Sequence, residues 1–540
     1  MRHLLMGAAA LAVMTAGVSS GYAKTPEDTL IIAREISSIA DWDPAVSQIL
    51  DVNEINNDIY ERLMGFDPRD TKDLQPILAE SYTISDDGST ITFKMRDNVR
   101  FHSGNPVTAQ DVLYSFRRLL LLGREPSSSM RALGFTKENL DAGISAPDEK
   151  TFVLKPALKL APSFVINLMS SSAFAVVDSK LVQEHEKDGD FGSAWLSNRA
   201  NSAPSAGSGP FKIDTFRAGD LVILSRNDDY WQFTPEMKRV MFRHVPEAGT
   251  QRLLVQSGDA DLAFNITSTD AEDLSKIDGV AVDYFASRRL LYFGFNTAVE
   301  PFDDPRVTKA MRYLIDYKGL EQTIMKNIGT INQGFIAEPF LGHLTEQPFE
   351  LDVEKAKALL AEAGLENGFS FTFTAYNRKP EMDLATSFQA TAAKAGVTVN
   401  IVNMPVSQTI PLYRDRKLEA LQLSYSGGYP DPHSTTSKFA FNPAALPGAD
   451  PESEWPSELS WRLNWAPKEL TAATMLAAQE LDVKKREQMY WDIQRQAWEE
   501  TPFAFMFQAT QPIARRANVK NFRYGARGAE ISFAAVSKSQ

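Results

Sequence analysis

Between residues 353 and 402 the chain changes its hydrophobic period twice, and few folds accept that. Val353, Ala356, Leu359, Leu360 and Ala363 recur at three- and four-residue spacing and stop at Gly364, which predicts a helix. Phe369, Phe371 and Phe373 then alternate with Ser370, Thr372 and Thr374, the two-residue period of a strand. A second helical pattern covers Glu381 to Ala395, and Val397, Val399 and Ile401 alternate again. Strand, helix and strand at this spacing make a βαβ unit, whose two strands lie parallel, so this part of the chain is predicted to be a parallel-rich α/β lobe.

The rest of the chain supplies further elements of the same kinds. Thr29 to Ala33 reads as a short buried strand that starts a sheet, and a Pro-containing turn follows around Asp41 to Pro44. Asp86-Asp87-Gly88 signals a turn before a half-buried strand with Ile91, Phe93 and Met95 on its inner face. Thr108 and Asp111 have capping-box spacing, ahead of a helix whose inner face is Val112, Phe116, Leu119 and Leu120. A Ser/Gly/Pro-rich stretch at 198–210 separates two patterned regions, and a loop-rich zone spans 442–467. The length suggests about three to four units of roughly 150 residues, and 43% hydrophobic residues supply core for them.

Composition narrows the function. Arg2 and His3 precede an apolar run from Leu4 to about Val18, and the small residues Gly21 and Ala23 stand before Lys24. That is the pattern of a cleaved secretory signal over residues 1–23, and its apolar run is too short to span a bilayer. The chain has no cysteine, which excludes disulfides, zinc-thiolate and iron–sulfur sites, and a cysteine nucleophile. Losing residues 1–23 removes one arginine and no acid, moving the formal charge from −13 to −14. An acidic body of this kind is a poor partner for nucleic acid or an anionic membrane.

No motif assembles a catalytic site. The one Gly-x-Ser-x-Gly pattern singled out, Gly17 to Gly21, lies inside the signal segment. Gly207-Ser208-Gly209-Pro210 lacks the lysine and spacing of a phosphate loop and reads as a structural turn or, less readily, a piece of a ligand cleft. The histidines His3, His102, His185, His244, His343 and His433 show no zinc-ligand spacing. The 69 carboxylates have no anchoring motif among them. Leu421 to His433, LQLSYSGGYPDPH, is different: a strand-like start, two glycines allowing close backbone approach, two tyrosines, and Asp431 between prolines. It reads as a rigid aromatic loop suited to holding a ligand.

Ile59 to Leu119 carries one long run of motifs, from IYERL through LAESYTISDDGSTITFKMRDNVRFHSGNPVTAQDVLYSFRRL, and further matches follow in order. They are GSGPFKI at Gly207 to Ile213, SGDADLA at Ser257 to Ala263, LYFGFNTAVEPFDDPRVTKAMRYLID at Leu291 to Asp316, and GGYPDP at Gly427 to Pro432. In these motifs the chain resembles the extracellular solute-binding proteins, family 5, of peptide, nickel and opine importers, with Tyr82 where tryptophan is usual.

The resemblance implies an α/β, two-lobed type II periplasmic binding protein fold with an inserted extra domain in the first lobe. The expected boundaries are 24–63, 204–288 and 503–540 for lobe I, 64–203 for the insertion, and 289–502 for lobe II. The expected hinge lies near Arg289 to Phe295 and Thr501 to Phe507. It further implies a monomer in the periplasm that captures a small polar ligand, most readily a peptide, and delivers it to an ABC permease and its ATPase. No catalysis, cofactor or metal is expected. The same role for an oligosaccharide, opine or sugar conjugate is the alternative; a periplasmic chaperone or a glycosidase is more remote.

For the ligand site the resemblance points to the 421–433 loop, with Tyr425 as the aromatic floor and Gln422 and Ser426 as neutral polar neighbours. Gly428 stands where peptide binders of the family keep an acid for the ligand's ammonium group, which leaves either another acid such as Asp431 as a substitute or a ligand with no ammonium group there. Gln48 faces them from the first lobe. Arg288 and Arg289, beside the first crossing, are placed to meet a carboxylate or phosphate, or to form an ion pair between the lobes.

Overall fold

The computed structural model describes residues 25–539 except Ala40, Gln48, 198–204, 377–379, Gly428, 451–454, 456–457 and 526–530. The expected signal segment and two of the expected ligand contacts, Gln48 and Gly428, thus lie outside the described residues.

Among the described residues the largest sheet has eleven strands, and two long strands join its halves. Val280–Phe295 and Phe503–Arg516 run antiparallel side by side through both halves. Beyond Phe503–Arg516 come Leu262–Ala263, Thr29–Arg34, Arg239–His244, Leu221–Arg226 and Phe211–Arg217, the sheet of the first lobe. Beyond Val280–Phe295 come Ala420–Ser426, Ser370–Tyr376 and Thr398–Met404, the sheet of the second. The predicted βαβ unit is in that second sheet: Ser370–Tyr376 pairs in parallel with Thr398–Met404, residue for residue, and Glu381–Ala393 is the crossover helix.

Burial follows from the alternation. In the first crossing strand Leu291, Phe293 and Phe295 enter a core with Phe371, Phe373 and Phe388, while Leu290 and Tyr292 enter another with Leu421, Leu423, Phe439 and Phe505. The second lobe is thus a sheet with an apolar layer on each face, as parallel strands covered by helices require. In the first lobe Leu30 and Ile32 pack with Phe242, Ile513 and Phe533 on one face. Ala33 packs with Val255, Leu274 and Ala514 on the other.

A separate antiparallel sheet of four strands, Ala79–Ile84, Ile91–Met95, Thr151–Leu154 and Ile144–Ser145, packs its inner face on the helix Ala109–Leu122. The predicted capping box at Thr108 and Asp111 is present, and Val112, Phe116, Leu119 and Leu120 are buried as their spacing predicted. This body is fastened to the first lobe by a fully buried ion pair, Arg118 to Asp43 at 2.5 and 2.7 Å. No helix among the described residues is long and apolar enough to cross a membrane.

The two crossing strands are not evenly paired. Ala286 pairs with Thr510 and Leu290 with Gln508, so three residues, Ser287 to Arg289, fall where the ladder slips; a second shift follows between Leu291 and Tyr292. At the same height the short strand Gly329–Ile331 pairs with Phe507 to Ala509. The first slip lies at the N-terminal edge of the stretch expected to form the hinge.

Candidate functional site

Tyr425, Ser426 and Gln422 share the strand Ala420–Ser426, which pairs with the first crossing strand as Leu290 to Tyr425, Arg289 to Ser426 and Phe293 to Gln422. Because side chains alternate, Tyr425 shares a face with Leu421 and Leu423. Its ring meets Phe439 edge-on at 5.5 Å, and burial pushes its phenol above the ordinary tyrosine value. It is only partly covered. Ser426 is exposed at the strand end.

Gln422 departs from expectation. It is fully buried against Phe293's register position, its amide donates to the Leu423 carbonyl at 3.1 Å, and its Oε1 has no partner among the described residues. A side chain closed off from solvent in the middle of a sheet is part of the core, so the expected polar neighbour of a ligand is not reachable there.

Asp431 departs further. Its carboxylate accepts two hydrogen bonds from Arg486, at 2.7 and 2.9 Å, one from the His433 N–H at 2.9 Å and one from Asn167 at 3.4 Å. Both partners of the ion pair are fully buried, and the guanidinium holds the carboxyl below its usual range although burial opposes it. Asp431 is therefore the clasp of its own loop, with no acceptor position open for a ligand's ammonium group. His433 beside it is pushed down to about 4 by burial and stays neutral.

Arg289 is also committed. Its Nε donates to Ser424 at 3.0 Å, and its guanidinium pairs with buried Glu381 at the start of the crossover helix. Both partners belong to the second lobe, so this is not the bridge between lobes that was one expectation. Arg288, in the slipped segment of the crossing strand, is half-buried, and burial holds its guanidinium below the ordinary arginine value.

The first lobe presents a polar network that includes Asp51, in the Ser47 to Asp51 segment that the resemblance places near the ligand. Arg34 pairs with Asp51 and, at 2.8 Å, with Glu54; the Tyr524 hydroxyl donates to Glu54 at 2.7 Å; and Ser38 donates to Asp51 at 2.6 Å. Phe264 lies under the Arg34 guanidinium at 4.6 Å. Asp51 and Glu54 follow Gln48 closely in sequence, but Phe264 and Tyr524 come from distant parts of the chain, which no local pattern could reveal.

The inserted body closes a third side. Phe164 meets Tyr429 at 5.7 Å and His433 at 5.5 Å edge-on, and the Ala161 N–H donates to the Ala478 carbonyl at 2.8 Å. Between the inserted body and the second lobe is a cavity of about 160 Å³ lined by Phe66, Leu74, Asn167, Phe340, Pro430 and Pro432. That volume suits one branched or aromatic side chain.

A two-lobed sheet joined by two strands, with polar and aromatic groups facing across the junction, is the frame on which comparison with known proteins bears. The sequence profile of "Bacterial extracellular solute-binding proteins, family 5 Middle" matches residues 73–445. The chain belongs to this family. Among curated relatives it is 25% identical over 503 residues to the glutathione-binding protein GsiB of Escherichia coli O1:K1 / APEC, covering 92% of each chain. It is 26% identical over 518 residues to the probable D,D-dipeptide-binding periplasmic protein DdpA of Escherichia coli (strain K12), covering 94% of each. Among solved structures, the periplasmic binding protein DppA from Helicobacter pylori in complex with peptide STSA superposes with a TM-score of 0.77 at 22% identity, covering 95% of this chain and 98% of that one.

In this family 5 protein the Gly207 to Pro210 motif is structural. A Cβ on Gly207 would collide with the Ile59 carbonyl oxygen, and one on Gly209 with that of Asp58. His102 ties the inserted body to the same turn, its backbone N–H donating to Gly207 at 2.8 Å and its Nε2 lying 2.9 Å from the Gly209 carbonyl. The motif is thus a seam between bodies and not part of the cleft. No cluster of three or more metal-ligating side chains occurs among the described residues.

Proposed function

We propose that this chain is the periplasmic capture component of an ABC importer, and that its ligand is a short peptide or peptide-like compound held between the two lobes. The observation that carries the reading is the junction itself. Two strands pass between the lobes, their ladder slips at Ser287 to Arg289, and on either side of the slip Leu290 pairs with Tyr425 while Phe285 meets Tyr524 at 5.8 Å. A solute touching both sides binds the closed arrangement better than the open one and shifts the population toward it. The permease and its ATPase then receive the closed complex. No bond is made or broken. Residues 1–23 serve export and are removed, and the mature protein works as a monomer. Support for a peptide comes from the relatives, which are named for glutathione and D,D-dipeptides or hold the peptide STSA.

One observation favours the second reading, a sugar or opine in the same transport role. Gly428 stands where the family's peptide binders carry an acid, and the nearby Asp431 is fully engaged by Arg486. An ammonium group closed into that loop without a carboxylate would cost several kcal/mol.

Native mass spectrometry of protein released from the periplasm, without refolding, tests both readings. A ladder of peptide masses supports the first, and a single sugar or opine mass the second. An intact Met1 on protein recovered only from cytoplasm would overturn the export role.

A further inference from the structure

We infer that Tyr429 is a bolt between the second lobe and the inserted body, a positioning residue that biases the molecule toward the closed arrangement before any solute binds; this rests on the solute-capture reading above.

Tyr429 belongs to the second lobe by sequence but not by packing. It follows the strand Ala420–Ser426, whose Leu421 and Leu423 are buried in the second lobe's own core, with Tyr425 against them. Tyr429 packs instead against the core of the inserted body, the cluster that holds Phe116, Phe152 and Phe164. Its ring meets Phe164, on the helix Pro162–Leu168, edge-on at 5.7 Å. Phe164 is fully buried; the His433 ring lies 5.5 Å from it and the Arg486 guanidinium 5.9 Å from its centre. A loop of one body thus puts an aromatic side chain into the core of another.

Each side of this contact is fastened to a different lobe. Asp431, two residues beyond Tyr429, is clasped by Arg486 on the helix Val483–Glu500, so the loop moves with the second lobe. The inserted body moves with the first. Beside the buried pair of Arg118 and Asp43, backbone N–H groups of Ile77, Leu78 and Val176 donate to Leu63, Arg62 and Glu61, and that of His102 donates to Gly207. Toward the second lobe the described polar ties are lighter: the Ala161 N–H to the Ala478 carbonyl at 2.8 Å, and Asn167 to Asp431 at 3.4 Å. The surface that Tyr429 crosses is therefore the one that parts.

When the lobes turn apart at the slipped ladder, Tyr429 has to leave an apolar core for water. Burying an aromatic side chain is favourable, and the edge-on meeting with Phe164 adds to it. Both gains exist only while the inserted body meets the second lobe as it does here, so they favour that arrangement with or without a solute. The apparent affinity for a solute rises with the fraction of protein already able to enclose it. Tyr429 thereby sets how readily the molecule closes, whatever the solute touches.

The test uses the full mature protein, stripped of solute in denaturant and refolded. The chain has no cysteine, so Lys137→Cys on the inserted body and Lys357→Cys on the second lobe, both exposed, take a pair of spin labels. Pulsed electron resonance then reads the distances between them. Protein with native Tyr429 should show a short-distance population, which Tyr429→Ala lowers by about fivefold. Tyr429→Phe, which keeps the ring, should keep that population. Tyr429→Leu should fall between, and it takes the place of Tyr429→Ala if that variant does not refold. Phe164→Leu combined with Tyr429→Ala should lower the population by less than the product of the two single effects. No short-distance population with native Tyr429, unchanged distances in Tyr429→Ala, or an equal loss in Tyr429→Phe would each overturn the assignment. A variant that only melts lower, with its distances unchanged, would show a structural role alone. Capture of a solute is decided separately by the native mass measurement, since the label distances are read without one.

Discussion

At the scale of single residues, the loop between Ser426 and His433 owes its shape to one ion pair. Asp431 and Arg486 are fully buried together. Removing one partner leaves the other as an unpaired interior charge, so Arg486→Met and Asp431→Asn should each cost about 3–5 kcal/mol. Urea unfolding should also show that the double variant loses less than the sum of the two, since the stranded charge is gone. The sequence suggested Asp431 as a ligand acid because it lies three residues from Gly428, where peptide binders of the family keep one. Its true partner lies on a helix, Val483–Glu500, that no local spacing connects to the loop.

Glu61 carries a second residue-scale prediction. It is buried, accepts from Ser208 at 2.8 Å, Trp231 at 3.0 Å and Tyr230 at 3.1 Å, and burial raises it to about 7. A folded-state value above the unfolded one means that the folded protein holds the proton more tightly. The stability from this group is therefore full below about 4.5 and lost as pH rises through about 7. Glu61→Gln should shrink the drop in melting temperature between pH 5 and pH 8.

At the scale of elements, what was legible was local. The strand and helix at Ile91–Met95 and Ala109–Leu122, and the βαβ unit at 370–404, were readable because alternation, capping and helical spacing act within a dozen residues. The seam at Gly207 to Pro210 was not readable as such, because its reason is the backbone of Asp58 and Ile59. Gly207→Ala should destabilise by about 1–3 kcal/mol, the usual cost of forcing extra volume into a packed site. Gly249, within the helix Ala248–Ser257 and with open space around its Cα, is the control. Gly249→Ala should be neutral or stabilising by up to about 1 kcal/mol, as thermal unfolding will show.

At the scale of the whole molecule, closure should be visible in solution. If the slip at Ser287 to Arg289 lets the lobes turn about the two crossing strands, small-angle scattering should give a smaller radius of gyration with bound solute than after its removal. An unchanged profile at saturation would reject these strands as the hinge. The two-lobed form itself was legible through the family motifs, which extend over most of the chain. The pairing of Arg289, the enclosure of Gln422 and the network around Glu54 were not, since each depends on how distant segments meet.

The strand order of the first lobe also dictates when that lobe can fold. Thr29–Arg34, among the first segments made, buries Leu30 and Ile32 beside Ile513, Phe533 and Val536, which are among the last. Phe503–Arg516 stands between Val280–Phe295 and Leu262–Ala263 in the sheet. Until the ribosome has released the C-terminal segment, the N-terminal strand has no complete surface to pack on, and contacts this distant in sequence form slowly in any case. The sheet of the first lobe can therefore close only once the last strands are available to the first.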